Sequence, residues 1–441
     1  MQKKEKGDLQ IIYIGVDDIK PYKNNPKKHS EKQITQIVNS IKEFKFNNPI
    51  LIDENNVLIA GHGRYLAAKH LNLTELPAIR LTHLTEAQKK AYRIADNKLT
   101  ENGEWDIDLL KIEFADIESL DLDGGLQLTG FDTAEIDTIL TQPEEHSESD
   151  PELNAVPFID KKEIVSKPGD IWQLGKHRII CGNSLEEETF KKLFGDKSAD
   201  MVFTDPPYNV KIDGHVCGKG VNKHKEFAMA SGEMSDNEFT AFLTRNFTLL
   251  KQFSKEGSLH FLCMDWRHVE EISKAGHVYD EFKNICVWNK TNAGMGSLYR
   301  SKHELIFVYK KGKHSHKNNV QLGSKGRYRT NVWDYAGVNG FGKNKKLLEL
   351  HPTVKPVELI WDAVLDVTER GDIVLDSFLG SGSTLIACEK AHRVCYGIEL
   401  EPVYIDTAIR RWETLTGKNA IRQDGKKYQD ILAAKKEGKT K

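Results

Sequence analysis

Residues 204 to 209 read Thr-Asp-Pro-Pro-Tyr-Asn and follow the apolar run Ala-Asp-Met-Val-Phe. The consecutive Pro206 and Pro207 withhold two backbone donors and forbid helix, so a strand ending there stops abruptly with a carboxylate and an aromatic ring at its tip. Asp205 offers a hydrogen-bond acceptor, the Pro206 carbonyl is freed on a stiff turn, and Tyr208 offers a flat face. That set suits a planar aromatic amine held by hydrogen bonds and stacked on a ring, as a nucleobase drawn out of a duplex is. The plainer alternative is that Asp205 caps a helix and the prolines only end a strand.

A second constellation lies about 170 residues downstream, in "DIVLDSFLGSGSTLIACEKAHRVCYGIELEP". It reads as a strand, the turn "SFLGSGST", a helix, and a second strand ending at Glu399. Gly380 and Gly382 let the backbone approach a ligand, and the helix starting near Ser383 offers its amides to it. Glu399, 17 residues after Gly382, is placed as a carboxylate reaching the two hydroxyls of an adenosine ribose must be. No Gly-Lys-Ser/Thr follows and the full GxGxxG is missing, so an adenosine compound fits better than a nucleoside triphosphate or a dinucleotide.

The elements that must position these residues are those of an α/β fold. The segments "HRIICGN", "ADMVFTD", "GSLHFLCM", "NICVWNK", "HELIFVYKK", "DIVLDSF" and "RVCYGIEL" are short apolar strands alternating with helix-like stretches. Such runs predict a Rossmann-like, largely parallel sheet with helices on both faces, which binds ligands at the carboxyl ends of its strands. Upstream, "EKQITQIVNSIKEFKF" has helical periodicity, "NPILIDENNVLIAG" reads as a hairpin and "GRYLAAKHLNL" as a helix, predicting a small α+β unit. The expected organisation is an N-terminal domain over 1–110, a helical extension over 111–140, an acidic linker over 141–160, the large α/β domain over 161–425, and a frayed basic tail over 426–441.

With 441 residues, 63 Lys plus Arg against 65 Asp plus Glu, and 39% hydrophobic residues, net charge neither demands nor excludes a polyanion. No long apolar run predicts a membrane span, and the charged start "MQKKEKGDLQ" lacks a signal-peptide core, predicting a cytoplasmic location. The six cysteines are scattered without a CxxC pair, which predicts reduced thiols and no metal.

"DPPY" and "DSFLGSG" together resemble the amino-methyltransferases of DNA. Their order, with "HPTVKPVELI" just before the glycine turn, resembles the β, circularly permuted group of these S-adenosylmethionine-dependent enzymes. The resemblance spans roughly residues 165–420. It implies a catalytic role for Asp205, Pro206, Pro207 and Tyr208, and a cofactor loop of Asp376, Phe378, Gly380 and Gly382 with Glu399 on the ribose. Thr353 and Lys355 are expected against the methionine end of the cofactor. Asn183, in "CGNSL", stands near the adenine where relatives usually carry Asp; an amide still donates and accepts there. The implied activity is methylation of the N6 amine of adenine in double-stranded DNA, Asp before Pro-Pro-Tyr leaning toward adenine. The alternatives are N4-cytosine methylation, a DNA-binding protein with an inactive methyltransferase domain, and methylation of protein glutamine or RNA.

Between the two motifs, "KKGKHSHKNNVQLGSKGRYR" carries Lys310, Lys311, Lys313, Lys317, Lys325, Arg327 and Arg329. At the place of the target-recognition insert (about 310–345), this run is expected to contact DNA phosphates rather than serve as a solvated loop. The loop 211–225 is a second candidate to close over DNA. The N-terminal segment resembles the ParB amino-terminal domain through "NPKKHS", "NPILID" and "GHGRYLAA". This implies an anion or nucleotide site at Gly61, Gly63 and Arg64, where helix-start amides meet a guanidinium. The oligomeric state is not readable, with a dimer one option.

Overall fold

The computed structural model describes residues 9–120, 122, 125–140, 154–157, 159–210, 232–291, 298–321, 327–337 and 354–438. They form two compact units, Met1–Gln142 and Pro143–Lys441.

In the first unit, strands β1 (Ile11–Gly15), β2 (Ile50–Ile52), β3 (Leu58–Ala60) and β4 (Glu75–Arg80) make a sheet of order β1-β4-β2-β3. β2 and β3 pair antiparallel as a hairpin. Its turn is fastened by Asp53, whose Oδ1 accepts the amides of Asn55 and Val57 at 2.8 Å each. Ile14, Ile50, Ile52, Leu58, Tyr65 and Leu76 form the core. The helix Glu31–Phe44 is capped by Ser30, whose hydroxyl accepts from the Gln33 amide, and Glu86–Glu101 by a Thr85/Gln88 capping box. Helices Ile107–Ser119 and Thr133–Leu140 share a smaller core of Phe114, Leu126, Ile136 and Ile139.

The second unit holds a ten-stranded sheet: β5 (Ile171–Leu174), β6 (His177–Cys181), β7 (Ala199–Thr204), β8 (Ser254–Met264), β9 (Glu281–Lys290), β10 (His303–Lys310), β11 (Val332–Tyr335), β12 (Ile373–Asp376), β13 (Val394–Glu399) and β14 (Ile421–Arg422). Their order is β11-β9-β10-β8-β7-β12-β13-β6-β5-β14. The five central strands, β8-β7-β12-β13-β6, are parallel. β10 runs antiparallel to both β8 and β9, so the sheet is less uniformly parallel than its apolar runs suggest. Along β12, Val374 and Leu375 enter opposite cores, as period-two alternation requires of a sheet covered on both faces.

The basic C-terminal segment is a helix, packed rather than frayed. The helix Tyr428–Glu437 packs through the fully buried Tyr428, whose ring meets Trp172 edge-on at 5.6 Å and whose hydroxyl accepts from Arg410 Nε at 3.0 Å. The basic composition reflects only its outer face.

Candidate active site

The parallel strands end on one edge, and the chemistry-bearing residues collect there. β12 ends at Asp376, and the chain turns through Gly380 (φ +51°) and Gly382 (φ +87°) into the helix Ser383–Lys390. Both glycines occupy the left-handed region that side chains avoid. A Cβ on Gly382 would stand 2.8 Å from the Cβ of Ala408. Asp376 pins the turn: Oδ1 accepts from Thr204 (2.8 Å) and the Phe378 amide (3.0 Å), and Oδ2 from Thr384 (2.6 Å). Burial raises its carboxyl to about 6 against these hydrogen bonds.

Glu399, at the end of β13, accepts the Gly380 amide on Oε2 (2.9 Å) and the Glu401 amide on Oε1 (2.8 Å). Burial pushes this carboxyl up to about 7, opposed by the two amides. The Gly182 amide donates to the Glu399 carbonyl at 2.8 Å, which sets Asn183 beside it. Asn183 closes its own loop, with Oδ1 accepting the Leu185 amide and Nδ2 donating to Glu186. The Ser383 hydroxyl is buried without a partner among the described residues. A glycine turn, a half-buried carboxylate at the neighbouring strand end and a spare buried hydroxyl fit an adenosine-bearing ligand.

Sequence reading missed Asn246. Fully buried, it donates to the Ser184 carbonyl (3.0 Å) and accepts from the Ser377 hydroxyl (3.2 Å), tying the "CGNS" loop to the glycine turn. A lone Asn in an amphipathic helix carries no sequence signal of such a duty.

The corner after β7 stands next to this turn through the Thr204–Asp376 bond. Asn209 takes a left-handed φ of +52° and grips the returning chain, its Oδ1 accepting the Gly232 and Met234 amides. Both Asp205 oxygens take a donor: Oδ1 accepts from the Tyr208 hydroxyl at 2.6 Å, and Oδ2 from Lys355 Nζ at 2.6 Å. Lys355 also pairs with Glu304 Oε2 at 2.8 Å and donates to Tyr208 Oη at 3.0 Å. Lys290 pairs with the other oxygen of Glu304. Burial raises Asp205, and the neighbouring Glu304 adds to it against Lys355. Glu304 is drawn down to about 2, because Lys355 and Lys290 together outweigh its burial. Burial disfavours the Lys355 ammonium, but Asp205 and Glu304 outweigh it and hold it charged.

Lys355 therefore sits at the Asp-Pro-Pro-Tyr corner, its charge shared between two carboxylates. Thr353 lies outside the described residues. Glu304 and Lys290 were not legible because the antiparallel β9 and β10 carry them back to the carboxyl edge of β7 from 99 and 85 residues downstream of Asp205.

The basic run also departs from expectation. Arg327 and Arg329 are mostly buried and bind Asp362 and Asp366 of the helix Val357–Val367 at 2.9–3.4 Å. Lys317 pairs with Asp372 at 2.5 Å, Lys310 with Glu281 at 2.7 Å, and Lys311 donates to the Ser254 carbonyl at 2.6 Å. These cations fasten the segment to the sheet and helix instead of forming a free band for phosphates. Lys313 carries no such ion pair among the described residues; Lys325 and the loop 211–225 lie outside them. Replacing Asp366 with alanine leaves two guanidiniums short of a carboxylate and is expected to cost about 3 kcal/mol. A fall in the denaturant midpoint checks this.

In the first unit, Gly61 (φ +93°) caps the helix His62–His70. A Cβ on Gly63 would meet His29 at 3.3 Å and Ile37 at 2.9 Å. Arg64 Nε and His62 Nε2 are buried without partners among the described residues. Burial lowers His62 to about 4, with His29 and Arg93 adding to it. Unspent donors at a helix start fit an anion.

Fold and site together define a methyltransferase-type α/β domain. Residues 199–410 match the model of the N6/N4 DNA methylase family, residues 108–168 a ParB-methyltransferase HTH domain, and residues 1–98 a ParB N-terminal domain. Residues 199–410 form a domain of this DNA methylase family, and the chain carries a ParB-type N-terminal region. It is 45% identical over 82 residues to the ParB-like nuclease domain-containing protein YnaK of Escherichia coli, covering 19% of this chain and 94% of that protein. It is 28% identical over 264 residues to the type II methyltransferase M2.MboI of Moraxella bovis, covering 56% and 91%. A solved structure, the cytosine-N4-specific PvuII DNA methyltransferase, aligns with TM-score 0.43 at 16% identity, over 59% of this chain and 94% of that one. No helix among the described residues is long and apolar enough to cross a membrane.

Proposed function

We propose that this chain transfers a methyl group from S-adenosylmethionine to the exocyclic N6 amine of adenine in double-stranded DNA. The observation that carries the reading is the Asp205 carboxylate and Pro206 carbonyl fixed at the end of β7, bonded through Thr204 to the Asp376 that pins the glycine turn. S-adenosylmethionine supplies an activated methyl on a sulfonium. The turn from Asp376 to Gly382 and the half-buried Glu399 would hold its nucleoside. The difficulty lies with the amine, whose lone pair is delocalised into the base. Hydrogen bonds from that amine to Asp205 and the Pro206 carbonyl favour a tetrahedral nitrogen and stabilise the charge developing on it. Drawing the base from the duplex costs a few kcal/mol. Stacking on the Tyr208 face returns about 1–3 kcal/mol.

Asp rather than Ser before Pro-Pro-Tyr favours adenine over the N4 amine of cytosine. Incubation with labelled S-adenosylmethionine and unmethylated DNA, followed by digestion to nucleosides, tests the reading: N6-methyladenine supports it, N4-methylcytosine moves the substrate, and no methylated base rejects it. The Gly61, Gly63 and Arg64 turn is read as an accessory anion or nucleotide site, supported by its unspent donors.

Glu399 gives a pH prediction. A carboxylate accepts ribose hydroxyls better than a carboxylic acid, and this group loses its proton near 7. Cofactor affinity therefore rises with pH, by about tenfold from pH 6 to pH 8. Glu399→Gln is expected to flatten that dependence in a calorimetric titration.

A further inference from the structure

Resting on that reading, Asp205 presents a difficulty: each oxygen of the residue meant to accept from the target amine already takes one donor, so the amine has to share an oxygen with it. Tyr208 holds Oδ1 and Lys355 holds Oδ2. A carboxylate oxygen can take a second hydrogen bond, but one shared with an ammonium or a phenol is weaker for the amine, and a buried ammonium can turn away from Asp205 only toward another anion.

Glu304 is that anion. Its Oε2 lies 2.8 Å from Lys355 Nζ and 3.1 Å from the Tyr208 hydroxyl, so both groups bound to Asp205 already touch a second acceptor. Its other oxygen is anchored by Lys290, which lies 4.4 Å over the Trp288 ring. Pairing on both sides fixes β10, and with it Glu304, between β8 and β9. We infer that Glu304 is a positioning residue for methyl transfer, taking the Lys355 ammonium and the Tyr208 hydroxyl from Asp205 as the target amine arrives. No bond is made or broken and no proton changes owner in this exchange. Asp205 gains the amine as donor while Lys355 stays paired.

The groups facing Asp205 are Tyr208 on its own turn, Lys355 before the helix Val357–Val367, Glu304 on β10, Cys263 on β8 and Asp376 on β12, with Lys290 behind Glu304. Neutralising Glu304 removes a negative neighbour and leaves Lys355 to Asp205 alone. In Glu304→Gln the single-turnover methylation rate is therefore expected to fall roughly 10- to 100-fold, with cofactor affinity within about twofold of wild type. The acid limb of its pH–rate profile should move to lower pH. Lys290→Gln, at the rim of the cluster, removes a positive neighbour and should move that limb the other way, and Glu304→Asp should recover part of the lost rate. Opposite shifts of the limb are not produced by a general loss of stability. Wild-type rate and an unmoved limb in Glu304→Gln, with wild-type protein active, overturn this inference alone. If Glu304→Gln does not fold, an unmoved limb in Lys290→Gln does so. Wild-type protein that methylates no DNA overturns the functional reading and this inference with it.

Discussion

Asp205→Ala loses methyl transfer by at least about 100- to 1,000-fold, the typical effect of removing one preorganised group that stabilises developing charge, while cofactor affinity stays near wild type. The separation follows from the geometry. Among the described residues the Asp205 side chain bonds to Tyr208 and Lys355, whereas the glycine turn is held by Asp376, Thr204 and Glu399. Folding should survive, because Lys355 keeps Glu304 as a partner. Single-turnover kinetics alongside a cofactor titration read both quantities. Near-normal transfer by the variant would remove Asp205 from the chemistry.

The second large effect is expected at Gly382. With φ at +87° and a built Cβ 2.8 Å from the Cβ and 3.1 Å from the Cα of Ala408, alanine here meets two separate penalties. The left-handed conformation costs roughly 1–2 kcal/mol, and overpacking against the helix Pro402–Thr416 about 1–3 kcal/mol more. The neighbour is backbone and a methyl, neither able to swing away. Gly382→Ala should therefore lower the denaturant midpoint by a clear margin and weaken cofactor binding as the turn shifts. By contrast, an added Cβ at Gly371, which also has positive φ, meets nothing within 4 Å, so Gly371→Ala should show only the conformational part.

The seven strands read from apolar runs all exist; the five central ones, covered on both faces, are apolar at most positions, while β9 is exposed over its first four residues. β5, β11 and β14, toward the two edges of the sheet, were missed: β14 has two residues, and β5 and β11 alternate exposure rather than running apolar. In the site, Asp205, the glycine turn and Glu399 were legible since each sits on a local strand-end signature. Glu304, Lys290 and Asn246 were not, because their roles come from pairings between segments distant in sequence. The basic run misled for the same reason: Asp362 and Asp366, which neutralise Arg327 and Arg329, lie on a helix more than 30 residues away. Charge along a sequence shows what a segment carries, not what it faces once folded.

The most direct test of the central claim is the identity of the methylated nucleoside. Wild-type protein, S-adenosylmethionine carrying a labelled methyl and unmethylated double-stranded DNA are incubated together, and the DNA is digested to nucleosides and separated. The account predicts label in N6-methyladenosine of the deoxy series, dependent on Asp205. Label in no base, or label that persists undiminished in Asp205→Ala, would contradict it.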